Sequence, residues 1–176
     1  MTRFPFPVPR VVALLAFLAG SLEAQDFRKD LIAQLDDTGN KLGALVNAFP
    51  KEKMSWRPQA GAPSVSETFM HVVRTNLTLP SAAGVAAAMN VRIPPGGDTT
   101  IVDRARIADM LAKSFVHAKD AVTQMADAKL EGKVTLAGAQ LTRREVLVKM
   151  GADGRADLEK LIEYAAANSV ALPWGK

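Results

Sequence analysis

The sequence predicts an all-α protein, a four-helix bundle, from three observations. Four segments place apolar residues three or four apart over several turns, the spacing that lines one face of a helix. Two of them open on Ser64-Val-Ser-Glu67 and Thr142-Arg-Arg-Glu145, the Ser/Thr-x-x-Glu signature in which cap and third residue satisfy each other's orphan amides. Pro- and Gly-containing connectors of about ten to fourteen residues separate the segments, as in helices folded back on one another.

The 176 residues are 48% hydrophobic and 23% charged, within the range of ordinary globular chains. Arg3 and Arg10 precede an uninterrupted apolar run, Val11 to Gly20, and Ser21-Leu22-Glu23-Ala24 follows. That layout predicts a secretory signal peptide over residues 1–24, cleaved after Ala24, and hence a periplasmic or secreted protein. The run is too short for a stable membrane span, which needs about twenty residues. Residues 25–176 would then form one domain that buries roughly two-thirds of its unfolded surface. With no cysteine, a disulfide framework and a lipoprotein anchor are excluded. The net charge of +4 becomes +3 without Arg3, Arg10 and Glu23, and the basic residues are dispersed among acids. One tyrosine and two tryptophans supply no stacking stripe, so nucleic-acid binding is not expected.

The first helix is expected over Asp26 to Phe49, carried by Phe27, Leu31, Leu35, Thr38, Leu42, Leu45 and Phe49 and stopped by Pro50. Gly39 and Gly43 weaken it by about 1 kcal/mol each against alanine, so packing must hold it. Lys51 to Pro63 is a connector. The Ser64 box opens a second helix to about Leu79, with Pro80 as a kink or a restart before Ser81 to Met89. Pro94-Pro95-Gly96-Gly97 is a loop. A third helix is expected from Asp98 or Thr99, with Ile101, Ala105, Ala108, Ala112, Phe115, Ala118, Val122 and Met125 as its buried stripe. Lys133 to Leu136 alternates and could be extended. The Thr142 box opens the fourth helix, which ends near Asn168, and the apolar tail to Trp174 packs back on the helices.

Chemistry-bearing residues are few. His117 has nothing ligand-like at helical spacing and reads as a satisfied or surface residue. His71 lies early in the second helix, in a polar stripe with Ser64, Thr68, Thr75 and Thr78. In the fourth helix Val146, Met150, Asp153, Asp157, Leu161 and Tyr164 follow at spacings of three or four. Charges on such a stripe need a partner. Two carboxylates four residues apart can converge on one cation, and His71 from a facing helix would complete a three-ligand set. The alternative is a weak stretch of helix, marked by Gly151 and Gly154, whose aspartates are solvated. No nucleophile elbow, phosphate-binding glycine loop or dinucleotide fingerprint is present.

Trp56-Arg57-Pro58, Ser64 to His71, Asn76 and Leu79 to Gly84 resemble the first half of a DinB-like (damage-inducible, YfiT-like) protein. Leu141 to Leu147, the helix after it and Pro173-Trp174 are similar to the second half. The resemblance implies an up-down-down-up four-helix bundle, often dimeric. It also implies a metal site of one histidine on the second helix and a His-x-x-x-His pair on the fourth, holding zinc, nickel or a similar ion, with transferase or isomerase chemistry in some members. The first ligand maps onto His71, and the pair maps onto Asp153 and Asp157. The family's frequent glutamine maps onto Lys160. Two carboxylates would reduce the Lewis acidity of a bound ion and favour harder ions such as manganese. Lys160 offers a different outcome, in which its ammonium replaces the metal and the site becomes an ion-paired cluster serving as a small-molecule or partner pocket. A His71/Asp153/Asp157 hydrolase or transferase site is the competing expectation.

Overall fold

Both capping boxes form. The Ser64 N–H donates to Glu67 Oε2 at 2.7 Å and the Glu67 N–H to Ser64 Oγ at 3.2 Å. The Thr142 N–H donates to Glu145 Oε2 at 2.6 Å and the Glu145 N–H to Thr142 Oγ1 at 3.1 Å. They open two of the long helices in a mostly helical chain. The computed structural model describes the backbone of residues 10–175 and the side chains of residues 25–175. Its elements are α1 (Arg10–Ala48), a 3-10 turn (Lys51–Lys53), α2 (Val65–Ala82), α3 (Gly97–Thr100), α4 (Arg104–Gln124), α5 (Asp127–Leu130), β1 (Lys133–Leu136), β2 (Ala139–Thr142) and α6 (Arg143–Ala167). The leader expected over residues 1–24 lies outside the residues with described side chains. Among the described residues no helix is long and apolar enough to cross a membrane.

Helices α1 and α2 each pack against both α4 and α6. Polar contacts at the ends fix their directions. Arg28 Nε on α1 donates to Val122 O at 3.2 Å, and Arg104 Nη1 donates to Phe49 O at 3.1 Å, so α1 and α4 are antiparallel. Arg143 Nε donates to Ala83 O at 3.0 Å and Tyr164 OH to Pro63 O at 3.1 Å, so α2 and α6 are antiparallel. The Arg144 guanidinium lies 4.9 Å from the Phe27 ring centroid, and Thr38 sits beside Gly154, so α1 and α6 run the same way. The core between them includes Leu42, Leu45, Phe49, Phe69, Met70, Ile107, Leu111, Leu147, Met150 and Leu161, all fully buried.

Several boundaries differ from the sequence expectation. Helix α1 does not start at Asp26 but runs from Arg10 without a break. Helix α2 passes through Pro80 and ends at Ala82, with no restart over Ser81 to Met89. Gly84, at φ 84°, takes the left-handed conformation that ends a helix, and the Gly84 and Val85 N–H groups close on Ser81 O and Pro80 O. The third long helix begins at Arg104, not Asp98. Asp103 is its cap, its Oδ1 accepting from the Arg106 N–H at 2.8 Å, and the earlier turn is the separate α3. Its buried face runs through Ile107, Met110, Leu111 and Ser114, whereas Ala105 and Ala112 are exposed. The extended piece over Lys133 to Leu136 has a partner the sequence reading missed. β1 pairs antiparallel with β2 through Ala137 (φ 49°) and Gly138 (φ 86°), the positive-φ pair of a tight hairpin turn. In the tail, Val170 and Leu172 pack on the core while Trp174 stays 37% exposed.

At Gly151, α6 lies close against α1. A Cβ there would lie 2.8 Å from Leu31 Cδ1 and 3.0 Å from Gln34 Nε2. Gly151→Leu is therefore expected to cost about 1–3 kcal/mol despite leucine's better helix propensity. Urea unfolding would check this, and an unchanged or higher midpoint would contradict it.

Candidate functional site

On α2, Val65, Phe69, Val72 and Val73 point into the core. His71 and Arg74, three residues apart, therefore share the flank of the helix beside that buried face. The connector before α2 is pinned over this flank. The Val65 N–H donates to Trp56 O at 2.9 Å, and the Trp56 ring packs edge-on against Tyr164 at 5.3 Å. On the far side α3 presents Asp98 and Thr99. These elements enclose a cavity of about 450 Å³ whose lining includes Arg57, Glu67, His71, Arg74, Asp157 and Lys160.

Asp157 is a buried charge among the residues that line the cavity. Its side chain is only 6% exposed, and both oxygens are engaged. His71 Nδ1 lies 2.6 Å from Oδ2, and Lys160 Nζ donates to Oδ1 at 3.5 Å. Nδ1 facing a carboxylate carries the ring proton, which leaves Nε2 turned away from Asp157. Around the rim, Arg57 Nη2 donates to Glu67 Oε1 at 3.2 Å and Arg74 Nη1 to Asp98 Oδ2 at 2.5 Å. The Glu67 carboxyl titrates below its ordinary value of 4.5, chiefly because it accepts from the Ser64 backbone N–H; burial opposes this, and Arg57 adds to the lowering.

Asp153 does not join this cluster. Its Oδ1 accepts from Lys149 Nζ at 2.9 Å, and its side chain is 28% exposed. The buried stripe of α6 runs Met150, Gly154, Asp157, Leu161 and Tyr164, so a glycine occupies the core-facing turn assigned from sequence to Asp153. Among the described residues no three His, Cys, Asp or Glu side chains are placed to hold one metal ion.

The sequence profile of the DinB superfamily matches residues 34–153. The chain belongs to the DinB superfamily. Among solved structures it is similar to a DinB-like protein from Bacillus cereus ATCC 10987, at 12% identity and a TM-score of 0.68, over 82% of this chain and 95% of that one. No curated protein matches the sequence.

The divalent ion that DinB resemblance implies does not fit the residues present. Of the three expected ligands, only His71 and Asp157 converge, Asp153 is held by Lys149, and the Lys160 ammonium lies against the buried Asp157 carboxylate. A cation beside that oxygen repels a metal ion and competes for the same lone pairs. Sequence reasoning on this DinB chain missed Arg57, Glu67, Arg74 and Asp98 as site residues. Arg74 was findable, since it follows His71 by three positions on one helix face. Asp98 was not, because only the tertiary position of α3 brings it to Arg74.

His117, on α4, lies away from this cavity's lining residues. Its Nε2 is buried without a hydrogen-bond partner among the described residues. Burial lowers its pKa below the ordinary 6.5, with Asp120 opposing. The neutral ring is thus favoured in the folded state. Its contribution to stability is present above pH 6.5 and is lost as pH falls through the folded-state value. Unfolding midpoints from pH 8 down to about 5 should fall in the wild type, and His117→Gln should flatten that fall. Parallel profiles for the two proteins would contradict the assignment.

Proposed function

We propose that this is an exported four-helix-bundle protein of up-down-down-up course whose His71–Asp157–Lys160 cluster floors a small-molecule pocket that works without a divalent ion. The helix directions given by Arg28, Arg104, Arg143 and Tyr164 support the course. The basic start and apolar run before Ala24 support export. The observation that carries the pocket reading is the double engagement of Asp157, with His71 on one oxygen and Lys160 on the other. A buried carboxylate needs compensating charge, and here side chains supply it where the three-histidine pattern of the resemblance would use a metal. The His71/Asp153/Asp157 hydrolase or transferase reading would require Asp153 to leave Lys149 and Lys160 to leave Asp157 together.

Melting with and without a chelator tests this. An ion held at about 1,000 times its Kd would stabilise the fold by about 4.1 kcal/mol, and each kcal/mol moves the Tm of a chain this size by about 2–4 °C. The expected result is no change on chelation. A drop on the order of 10 °C would overturn the metal-free pocket.

A further inference from the structure

We propose that the ligand of this pocket is a small organic oxyanion, a carboxylate or a phosphate monoester, seated on Arg57, Arg74 and Lys160; the inference rests on the pocket reading above. The cavity wall carries three cationic side chains, Arg57, Arg74 and Lys160, beside the carboxylates of Glu67, Asp98 and Asp157. Each carboxylate of the wall already accepts from one of its cations, Glu67 from Arg57, Asp98 from Arg74 and Asp157 from Lys160. Glu67 gives Oε1 to Arg57 and Oε2 to the Ser64 N–H. Asp157 gives one oxygen to His71 and the other to Lys160. The Thr68 and Thr99 hydroxyls donate to the carbonyls of Ser64 and Gly96, so their protons are already in use.

The donors are mostly unspent. A guanidinium has five N–H groups and an ammonium three. Arg74 commits one nitrogen, to Asp98, and Lys160 makes a single long contact, to Asp157. Arg57 spends Nη1 on Ala62 O and Nη2 on Glu67, leaving Nε. His71 Nε2 has no partner among the described residues and can add a donor or an acceptor. A ligand that complements this wall brings acceptors, and charge-assisted bonds to an oxyanion are about twice as strong as neutral ones.

Size makes the ligand organic. A cavity of about 450 Å³ is many times the roughly 30 Å³ share of one water and falls within the roughly 300–1,000 Å³ range of small-molecule sites. Gly61, Ala62 and Pro63 form a wall without charge, against which a carbon body can lie while its anionic head meets the arginines and Lys160.

Calorimetric titration of the full chain with four probes of one shape tests the proposal: benzoate, phenyl phosphate, benzamide and benzylamine. Benzoate or phenyl phosphate should bind with a Kd of about 1 mM or tighter, and which of the two binds more tightly identifies the head group. Benzamide and benzylamine should bind at least about tenfold more weakly. Arg74→Gln and Lys160→Met should each weaken the oxyanion by about tenfold, whereas Arg92→Gln, outside the cavity lining, should not. Melting curves taken first establish that each variant is folded. Equal binding of benzamide or benzylamine, or oxyanion affinity indifferent to Arg74 and Lys160, overturns the oxyanion inference and leaves the pocket reading standing. Failure of all four probes at about 10 mM overturns both.

Discussion

Replacing His71 and Lys160 together, by Ala and Met, is expected to destabilise the protein by about 2–4 kcal/mol, and adding Asp157→Asn should recover most of that loss. The asymmetry follows from exposure. His71 and Lys160 are 46% and 43% exposed, so either can return to water when its partner is removed. Asp157, at 6%, cannot, and without both partners it is a buried charge with nothing to compensate it. Asp157→Asn alone should therefore cost only about 1 kcal/mol. Urea unfolding of the four proteins decides the matter. A triple variant no more stable than the double would mean that the aspartate is compensated by some other group.

The other large effect is expected at Phe69. Phe69→Ala should cost about 3–5 kcal/mol, because a fully buried aromatic leaves both lost transfer energy and a cavity. Its ring meets Phe49 edge-on at 6.1 Å between centroids, a contact worth about 0.5–1.5 kcal/mol beyond area. Phe69 also sits two residues before His71, on the face that seats α2. Loosening that seat should weaken the pocket, so the variant should lose ligand affinity as well as stability. Full retention of both would show that the inner face of α2 does not hold the site in place.

What was legible in the sequence is what is decided locally. Both capping boxes form because their partners lie three residues apart, and the end of α6 near Asn168 follows from its own turn. The break at α3 was hidden because Asp98, Thr99 and Asp103 are all plausible caps, and only packing selects Asp103 for the long helix. The buried stripe of α6 was misplaced by one residue for a related reason. A stripe drawn through apolar residues skips glycine, yet Gly154 faces α1 beside Thr38, and that rotates Asp153 outward to Lys149 while leaving Asp157 inside. His71 and Asp157, paired by family spacing, lie 2.6 Å apart. The arginine pairs around them depend on where a connector and a four-residue helix lie, which no local pattern encodes.

On the proposed reading, side chains and not a metal compensate Asp157. Elemental analysis of the purified chain, after incubation with excess zinc, nickel or manganese and removal of free ion, tests it most directly. The prediction is a metal content far below one ion per chain, unchanged by Asp157→Asn. One tightly held transition-metal ion per chain, lost on Asp157→Asn or His71→Ala, would contradict it.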